Sequence, residues 1–457
     1  MVASSVWLGE KVHSVGRFWL ILGLGSFVAV IVRTQNLRMW LVFFVCLVSC
    51  VACWRSHSEW QRVGQVHSGN YDGLAVLQTD PQPIGKGVRV VVEIEGQRFE
   101  SWIYGSSARR ISTLVAGETI SVNGTRRVNV AANHRLQVRH IVGRFDVKVM
   151  SSLASGAHIR ESRFELAANR IRSALGKGAR VLPGDQSSLF AGLVYGDDSQ
   201  QPPQMIDRFR ASGLAHLTAV SGQNVAFVLT VAAPFLTRLR RWFRLTLTLL
   251  VLAWFAIMTR LEPSVIRAVT MAGISATVFA IGGRLKAWQV LVVTCIGLLL
   301  IDPFLLWSVG WWLSIGGSSG LILLSSRIRS TLECWGFKNH QWVLNWIVPS
   351  LAAQLGVLPV AVMVFGWPSA VAIPCNLLAV PVAGIVMLIG IPVALLSGFL
   401  PRVVATVVMW PLGVGVKWVD TVAALGQHFN LPIWLDIAVG LAPLLLVMRH
   451  RCDNLET

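Results

Sequence analysis

Long apolar runs follow one another so closely in this chain that most of it can fold only inside a bilayer. Beyond residue 240 they lie at about 243–259, 263–282, 287–307, 310–325, 343–366, 370–397, 402–426 and 431–448. A hydrocarbon core about 30 Å thick is crossed by roughly 20 apolar residues of helix, and several of these runs reach that length. Only 14% of the 457 residues are charged, against about a quarter in soluble domains. With the stretch that opens at Ser212, the pattern predicts roughly eight to ten segments over residues 212–450, some of them re-entrant. Two further spans, 18–32 and 39–54, are predicted at the start, joined by the turn Arg33–Arg38. The first has no small-residue cleavage site and is read as part of a membrane anchor over residues 1–56.

Between residues 57 and 150 the pattern changes. Short alternating runs appear at 73–78, 88–94, 98–104, 119–122 and 136–141, separated by Gly, Asn and Pro. Five strands in about 90 residues fit a small OB-like β-barrel, a fold that often binds oligonucleotides. The fold class is thus a polytopic α-helical membrane protein with an inserted soluble β-barrel. The barrel is rich in Arg and Lys, including Lys86, Arg98, Arg126, Arg127, Arg135 and Arg139. Trp102 and Tyr104 share one face of their strand and could stack on bases. An ordinary solvated basic surface over core aromatics explains the same residues. The whole chain carries 40 Lys and Arg against 22 Asp and Glu, a net charge of +18. Such an excess fits the positive-inside bias of membrane proteins and also an anionic partner such as nucleic acid.

Residues 151–211 read as an amphipathic interfacial helix, about 160–176, followed by a linker. The linker contains Asp197 and Asp198, adjacent carboxylates that could bind a cation or simply form a turn. Next comes Ser212-Gly-Leu-Ala-His-Leu-Thr-Ala-Val-Ser-Gly-Gln-Asn-Val225. As one helix it places Ser212, His216, Gln223 and Asn224 within about a third of the circumference, with Ser221 about 60° outside. A polar stripe avoids lipid, so it faces protein or a water-filled path. The two Ser-Gly pairs allow a second reading, a broken helix whose freed backbone lines a cavity. Farther on, Arg267 lies within or close to the bilayer on a face shared with Ser264, Met271 and Ser275. A guanidinium there is costly, which marks it as functional unless it snorkels to the headgroups. Pro374, Pro381 and Pro392 imply interrupted helices.

The stretch Gly213-Leu-Ala-His-Leu-x-Ala-Val-Ser-Gly-x-x-Val225 closely resembles the signature of the ComEC family, inner-membrane DNA channels of natural transformation. That family commonly has a His two residues after the Ser-Gly, where this chain has Asn224, which can hydrogen-bond but not titrate. Gly196-Asp197, Pro263-Ser-x-x-Arg267-Ala-x-x-Met271, Gln354…Pro359 and Asn376-Leu-Leu-Ala-x-Pro381 match further family segments. Gly310-Trp-Trp-Leu-Ser314 matches another, with Trp312 in place of a Gln. The resemblance implies an OB-type domain outside the bacterial cytoplasmic membrane and a path for single-stranded DNA through the helices. His216, Ser221, Asn224, Arg267, Gln354 and Asn376 are the candidates to line it. It also implies a ComEA-like receptor outside and a ComFA-like cytosolic ATPase as partners, besides membrane lipid; a homo-oligomer is left open.

Many members of that family bear a metallo-β-lactamase-like domain with a His-x-His-x-Asp-His motif. The ten His residues here form no such cluster, and the seven Cys residues show no metal-ligand spacing. No P-loop is present either. The expectation is a chain without that C-terminal domain, without cofactor or metal, and not an enzyme. Two other classes stay open: a transporter of a small molecule or lipid, and a membrane enzyme using Ser221 and His216 as nucleophile and base. On an ideal helix the latter two stand about 140° apart.

Overall fold

The computed structural model describes residues 37–64, 68–85, 87–128, 136, 139–152, 163–218, 221–429 and 436. The expected span 18–32, Lys86, Arg135 and nearly all of the run 431–448 lie outside the described residues. Contacts divide the chain into two units: residues 1–162 with 292–308, and 163–291 with 309–457.

The first unit holds helix α1 (Leu37–Gly64) and six strands: β1 (Gly69–Leu77), β2 (Gln82–Ile84), β3 (Gly87–Ile94), β4 (Gln97–Tyr104), β5 (Thr119–Val128) and β6 (Ile141–Ser152). The sheet runs β1-β5-β6-β4-β3-β2, and a β1–β3 pairing closes it into a ring. Five strands form the barrel, while β2 is a short hairpin partner of β3. All neighbours are antiparallel except β4 and β6. This order, with helix α2 (Gly105–Ile111) after β4, is the OB-type arrangement. Alternation builds it: Val88, Val90, Val92 and Ile94 of β3 and Phe99 and Ile103 of β4 point into the core with Phe145. Glu95 and Gly96 connect β3 to β4 with φ of 51° and 78°, as a two-residue type I′ hairpin requires.

Two features differ from the sequence expectation. Helix α1 runs on to Gly64, well past residue 56. The last strand is Ile141–Ser152 rather than 136–141, because the alternation Ile141, Gly143, Phe145 is the one that faces the core. The segment 292–308 also belongs with this unit. Arg55 donates to the carbonyls of Leu300 (3.3 Å) and Ile301 (2.9 Å), and Trp60 packs edge-on against Phe304 and Trp307. His140 Nε2 lies 3.2 Å from Asp302 Oδ2.

The second unit is helical: α3 (Arg163–Ala179), α4 (Gln186–Tyr195), α5 (Pro203–Ala211), α6 (Ala215–Thr218), α7 (Gly222–Leu236), α8 (Arg241–Met258) and α9 (Pro263–Ala280). Helix α10 (Ala287–Ile301) passes from this unit into the segment 292–308 of the first, and after it come α11 (Val309–Cys334), α12 (Gln341–Phe365), α13 (Ala372–Ser397) and α14 (Arg402–Gly426). Five helices among the described residues are long and apolar enough to cross a membrane: α8, α9, Leu344–Phe365 of α12, α13 and α14. Fewer qualify than the runs suggest. Helix α7 and α10 have 15 residues each, roughly 22 Å at 1.5 Å per residue. Asp302-Pro303 ends α10, Asp302 accepting from Phe304 N–H (3.0 Å) to start the 3-10 turn Pro303–Trp307. Helix α11 is long enough, but the Trp, Gly and Ser residues of its first half, with Arg327 and Arg329 beyond them, keep its mean hydropathy below that of the five.

Within the stretch read as interfacial helix and linker, α3, α4 and α5 contribute to the helical core. Leu175 of α3, Phe190 and Leu193 of α4, and Phe209 of α5 sit in the core with Phe255 of α8 and Val416 of α14. Helix α3 packs so closely on α13 that a Cβ on Gly178 would lie 2.1 Å from the carbonyl of Ala394. Conversely Met363, Phe399 and Val403 are about four-fifths exposed (87, 83 and 79%), an outer surface suited to lipid.

Candidate functional site

The stretch 212–225 is broken, as the second reading of its Ser-Gly pairs expects. Helix α5 ends at Ala211, and Gly213 turns the chain with φ of +71°. A Cβ there would also strike that of Ala372, so glycine serves both the conformation and the close packing. Ser212 is buried and donates back to the carbonyl of Arg208 (2.9 Å). His216, on the short α6, contacts the carbonyl of Gly213 (3.3 Å). Ser221 N-caps α7 by accepting from Gln223 N–H (3.3 Å). His216 and Ser221 therefore spend their hydrogen bonds locally and make none to each other.

Arg267 is the centre of the polar constellation. It is 6% exposed, one turn into α9. Its Nε donates to Ser314 Oγ (2.7 Å) and its Nη1 to Ser318 Oγ (2.6 Å), with Met271 Sδ 3.1 Å from Nη1. Its Nη2 lies against Gly222, where a Cβ would be 3.0 Å away. The start of α7 and the guanidinium of α9 thus converge, although 45 positions separate Gly222 from Arg267 in the chain. Both are positive: a helix N-terminus carries about half an elementary charge, and Arg is always protonated. Such a pairing favours an anion beside it.

Ser314 and Ser318 are held in place by a glycine crossing. Gly316 and Gly320 of α11 face Ala352 and Gly356 of α12, and a Cβ on Gly320 or Gly356 would lie 2.1 or 2.2 Å from a carbonyl of the other helix. This is the small-xxx-small mode of membrane helix packing. Sequence inspection found Arg267 and Ser314 but missed Ser318 and the crossing; the visible signal was Gly316-Gly-Ser-Ser-Gly320 itself.

Two buried amides complete the set. Asn224 donates to the carbonyl of Leu193 (3.3 Å), while its Oδ1 has no partner. Asn376 on α13 is likewise buried with Oδ1 unsatisfied. Helices α7 and α13 meet where the ring of Phe227 covers Gly384. Gln354 is half-buried on α12, between Ala352 and Gly356 in sequence. Asp197 is tied down, accepting from Ser199 Oγ (2.6 Å) and pairing with Arg172 (3.4 Å), whose guanidinium also covers the Tyr195 ring. Asp198 is exposed. Among the described residues no group of three His, Cys, Asp or Glu could hold a metal ion.

In the barrel, Trp102 and Tyr104 point outward from β4, half-buried and 61% exposed respectively, with Arg89 opposite Trp102 on β3. The predicted arginines carry acidic neighbours that the sequence did not disclose. Arg98 pairs with Glu93 (3.8 Å) and Arg127 with Asp146 (2.8 Å). Arg126 pairs with Glu95 (2.7 Å) and stacks over Tyr71. Arg139 is exposed in the turn before β6.

Residues 193–450, more than half of the chain, match the Competence family, described as competence protein. The chain is 24% identical over 371 residues to ComE operon protein 3 of Bacillus subtilis (strain 168), covering 77% of this chain and 46% of that protein. It is 26% identical over 216 residues to the uncharacterized protein YcaI of Escherichia coli (strain K12), covering 44% and 28%. Over 154 residues it is 30% identical to competence protein ComA of Neisseria gonorrhoeae, covering 30% and 21%. The chain spans less than half the length of each of these relatives. No solved structure matches it. With the family's match lying over the broken helix, Arg267 and the apolar bundle, this multi-pass membrane protein belongs to the ComEC-type competence protein family.

Proposed function

We propose that this chain conducts single-stranded DNA across the bacterial cytoplasmic membrane during natural transformation, and that it is not itself an enzyme. The observation that carries this reading is the convergence of buried Arg267 with the first turn of α7 inside an apolar bundle. A strand crossing hydrocarbon keeps every phosphate charged, so its path needs cationic and hydrogen-bonding groups at intervals, each too weak to trap the polymer. Arg267 with Ser314 and Ser318 supplies one such step; Asn224 and Asn376, each with an unsatisfied Oδ1, supply others. An amide Oδ1 is an acceptor and suits the N–H donors of the strand's bases rather than its phosphates. Ser221, His216 and Gln354 line the same path.

The barrel takes the outer side and offers the strand its β3–β4 face, the face that OB-type barrels use for oligonucleotides. Its arginines pair with acids at or near the surface, pairs worth about 1 kcal/mol or less when exposed, so phosphate can replace carboxylate. A ComEA-like receptor delivers the DNA and a ComFA-like cytosolic ATPase draws it in, since the chain has no P-loop. The competence names of ComE operon protein 3 and ComA support this context. The test is Arg267→Gln in a competent host. Labelled DNA should still be captured at the surface but reach the protected cytoplasmic pool at a small fraction of the wild-type rate, at equal membrane levels of protein. Wild-type entry would make Arg267 a packing residue and remove the basis of the proposal.

A further inference from the structure

A second charged feature lies at the opposite ends of α8 and α9 from the polar site. Arg238, Arg240, Arg241 and Arg244 bracket the start of α8, and Arg284 and Lys286 follow the end of α9. The two helices form an antiparallel hairpin, and the Arg244 guanidinium stacks over Phe279 (5.0 Å), so all six cations gather at one end. All are exposed except Arg244, which is half-buried. No acidic residue occurs between Asp207 and Glu262, or between Glu262 and Asp302, so this end has no local counter-charge in sequence. Interleaved with them stand Trp242, Phe243, Phe279 and Trp288, exposed by 54, 72, 64 and 50%.

We infer that this cluster is a binding surface for anionic phospholipid headgroups and that it faces the cytoplasm. Helices α8 and α9 are both long and apolar enough to span the bilayer, so their common end sits at headgroup depth. Aromatic rings concentrate at that depth, and arginine forks there grip lipid phosphate bidentately. Arg241 over Trp242 (5.4 Å) and Arg244 over Phe279 are held by the rings they cover, which keeps their forks aimed. A dense block of cations next to spans orients them toward the cytoplasm and its anionic leaflet. A DNA strand shares the phosphodiester chemistry and can stack on aromatic rings, but rings and cations together at the shared end of two spans are the pattern of a headgroup interface. The inference rests on the two spans alone and is independent of what the chain transports.

Native mass spectrometry of the purified full chain, delipidated and offered phosphatidylglycerol and phosphatidylcholine in equal amounts, tests it. Wild type should retain phosphatidylglycerol about tenfold over phosphatidylcholine, as a few interfacial cations predict. R238Q/R240Q/R241Q/R244Q should approach equal retention, R284Q/K286Q should lose part of the preference, and Arg402→Gln on α14 should keep it. The milder pair serves should the quadruple variant fail to fold. Equal retention by wild type, or full preference in both cluster variants, overturns the inference. So does displacement of phosphatidylglycerol by a thymidine oligonucleotide whose binding the variants abolish, which would make the surface a nucleic-acid contact. A short tag inserted after Leu239 should be reached by antibody in inside-out vesicles only; detection on intact spheroplasts refutes the orientation.

Discussion

An ammonium could carry the charge of Arg267, but it could not satisfy Ser314 and Ser318 together while lying flat on Gly222. Arg267→Lys should therefore support DNA entry below wild type and above Arg267→Gln, measured as label in the protected pool. Ser314→Ala and Ser318→Ala each remove one hydrogen bond to a charged group, roughly 1.5–3 kcal/mol, and the double variant should show a lowered melting temperature in detergent. Asn376 makes the opposite prediction. Its buried Oδ1 has no partner, and an unsatisfied polar atom costs about 1–3 kcal/mol. Asn376→Leu should leave the melting temperature unchanged or raise it, yet lower entry; unchanged entry would take Asn376 off the path. At this scale Arg267 was legible because an arginine in an apolar run has few reasons to be there. Its partners were not, since Ser314 and Ser318 lie 47 and 51 positions away and only the folded bundle brings them to it.

Among the elements, the α11–α12 crossing is where a small change should act at a distance. A methyl on Gly356 would sit 2.2 Å from the carbonyl of Gly316, so Gly356→Ala must push the two backbones apart. Overpacking of this kind costs about 1–3 kcal/mol, and Ser314 and Ser318 move with α11. Lowered thermal stability together with reduced DNA entry is expected, and Gly356→Leu should fail to accumulate in the membrane. The broken helix at 212–225 was legible from its Ser-Gly pairs, which continuous helix tolerates poorly. The last barrel strand was misplaced because Leu136–Ile141 alternates as well as the true strand does. Only the partners across the ring, Arg127↔Arg144 and Val128↔Gly143 among them, select the register. Hydropathy does not fix where a helix stops for a related reason: it registers an apolar run such as 287–307 but not that Asp302-Pro303 ends its helix after 15 residues.

Taken whole, the molecule joins an OB-type barrel to an apolar bundle, and both classes were legible from alternation in one region and unbroken hydrophobicity in the other. The barrel's acids were not: Glu93, Glu95 and Asp146 meet Arg98, Arg126 and Arg127 through sheet register and turn geometry. In the full chain, R98E/R127E should weaken binding of single-stranded DNA whatever its base sequence, and flatten the salt dependence by about 0.7 per lost phosphate contact. Binding that ignores salt would leave the barrel's basic surface as mere solvation. The inclusion of 292–308 in the first unit also bears on how the protein is made. A ribosome adding roughly 5–20 residues per second finishes the last barrel strand some 10–30 s before it delivers Phe304 and Trp307. Throughout that interval the contacts of Trp60, Arg55 and His140 with residues 300–307 are unmade. The unit begun first is therefore completed only after helices α3 to α9 of the second have been translated, and a nascent chain arrested before residue 292 carries a first unit without those contacts.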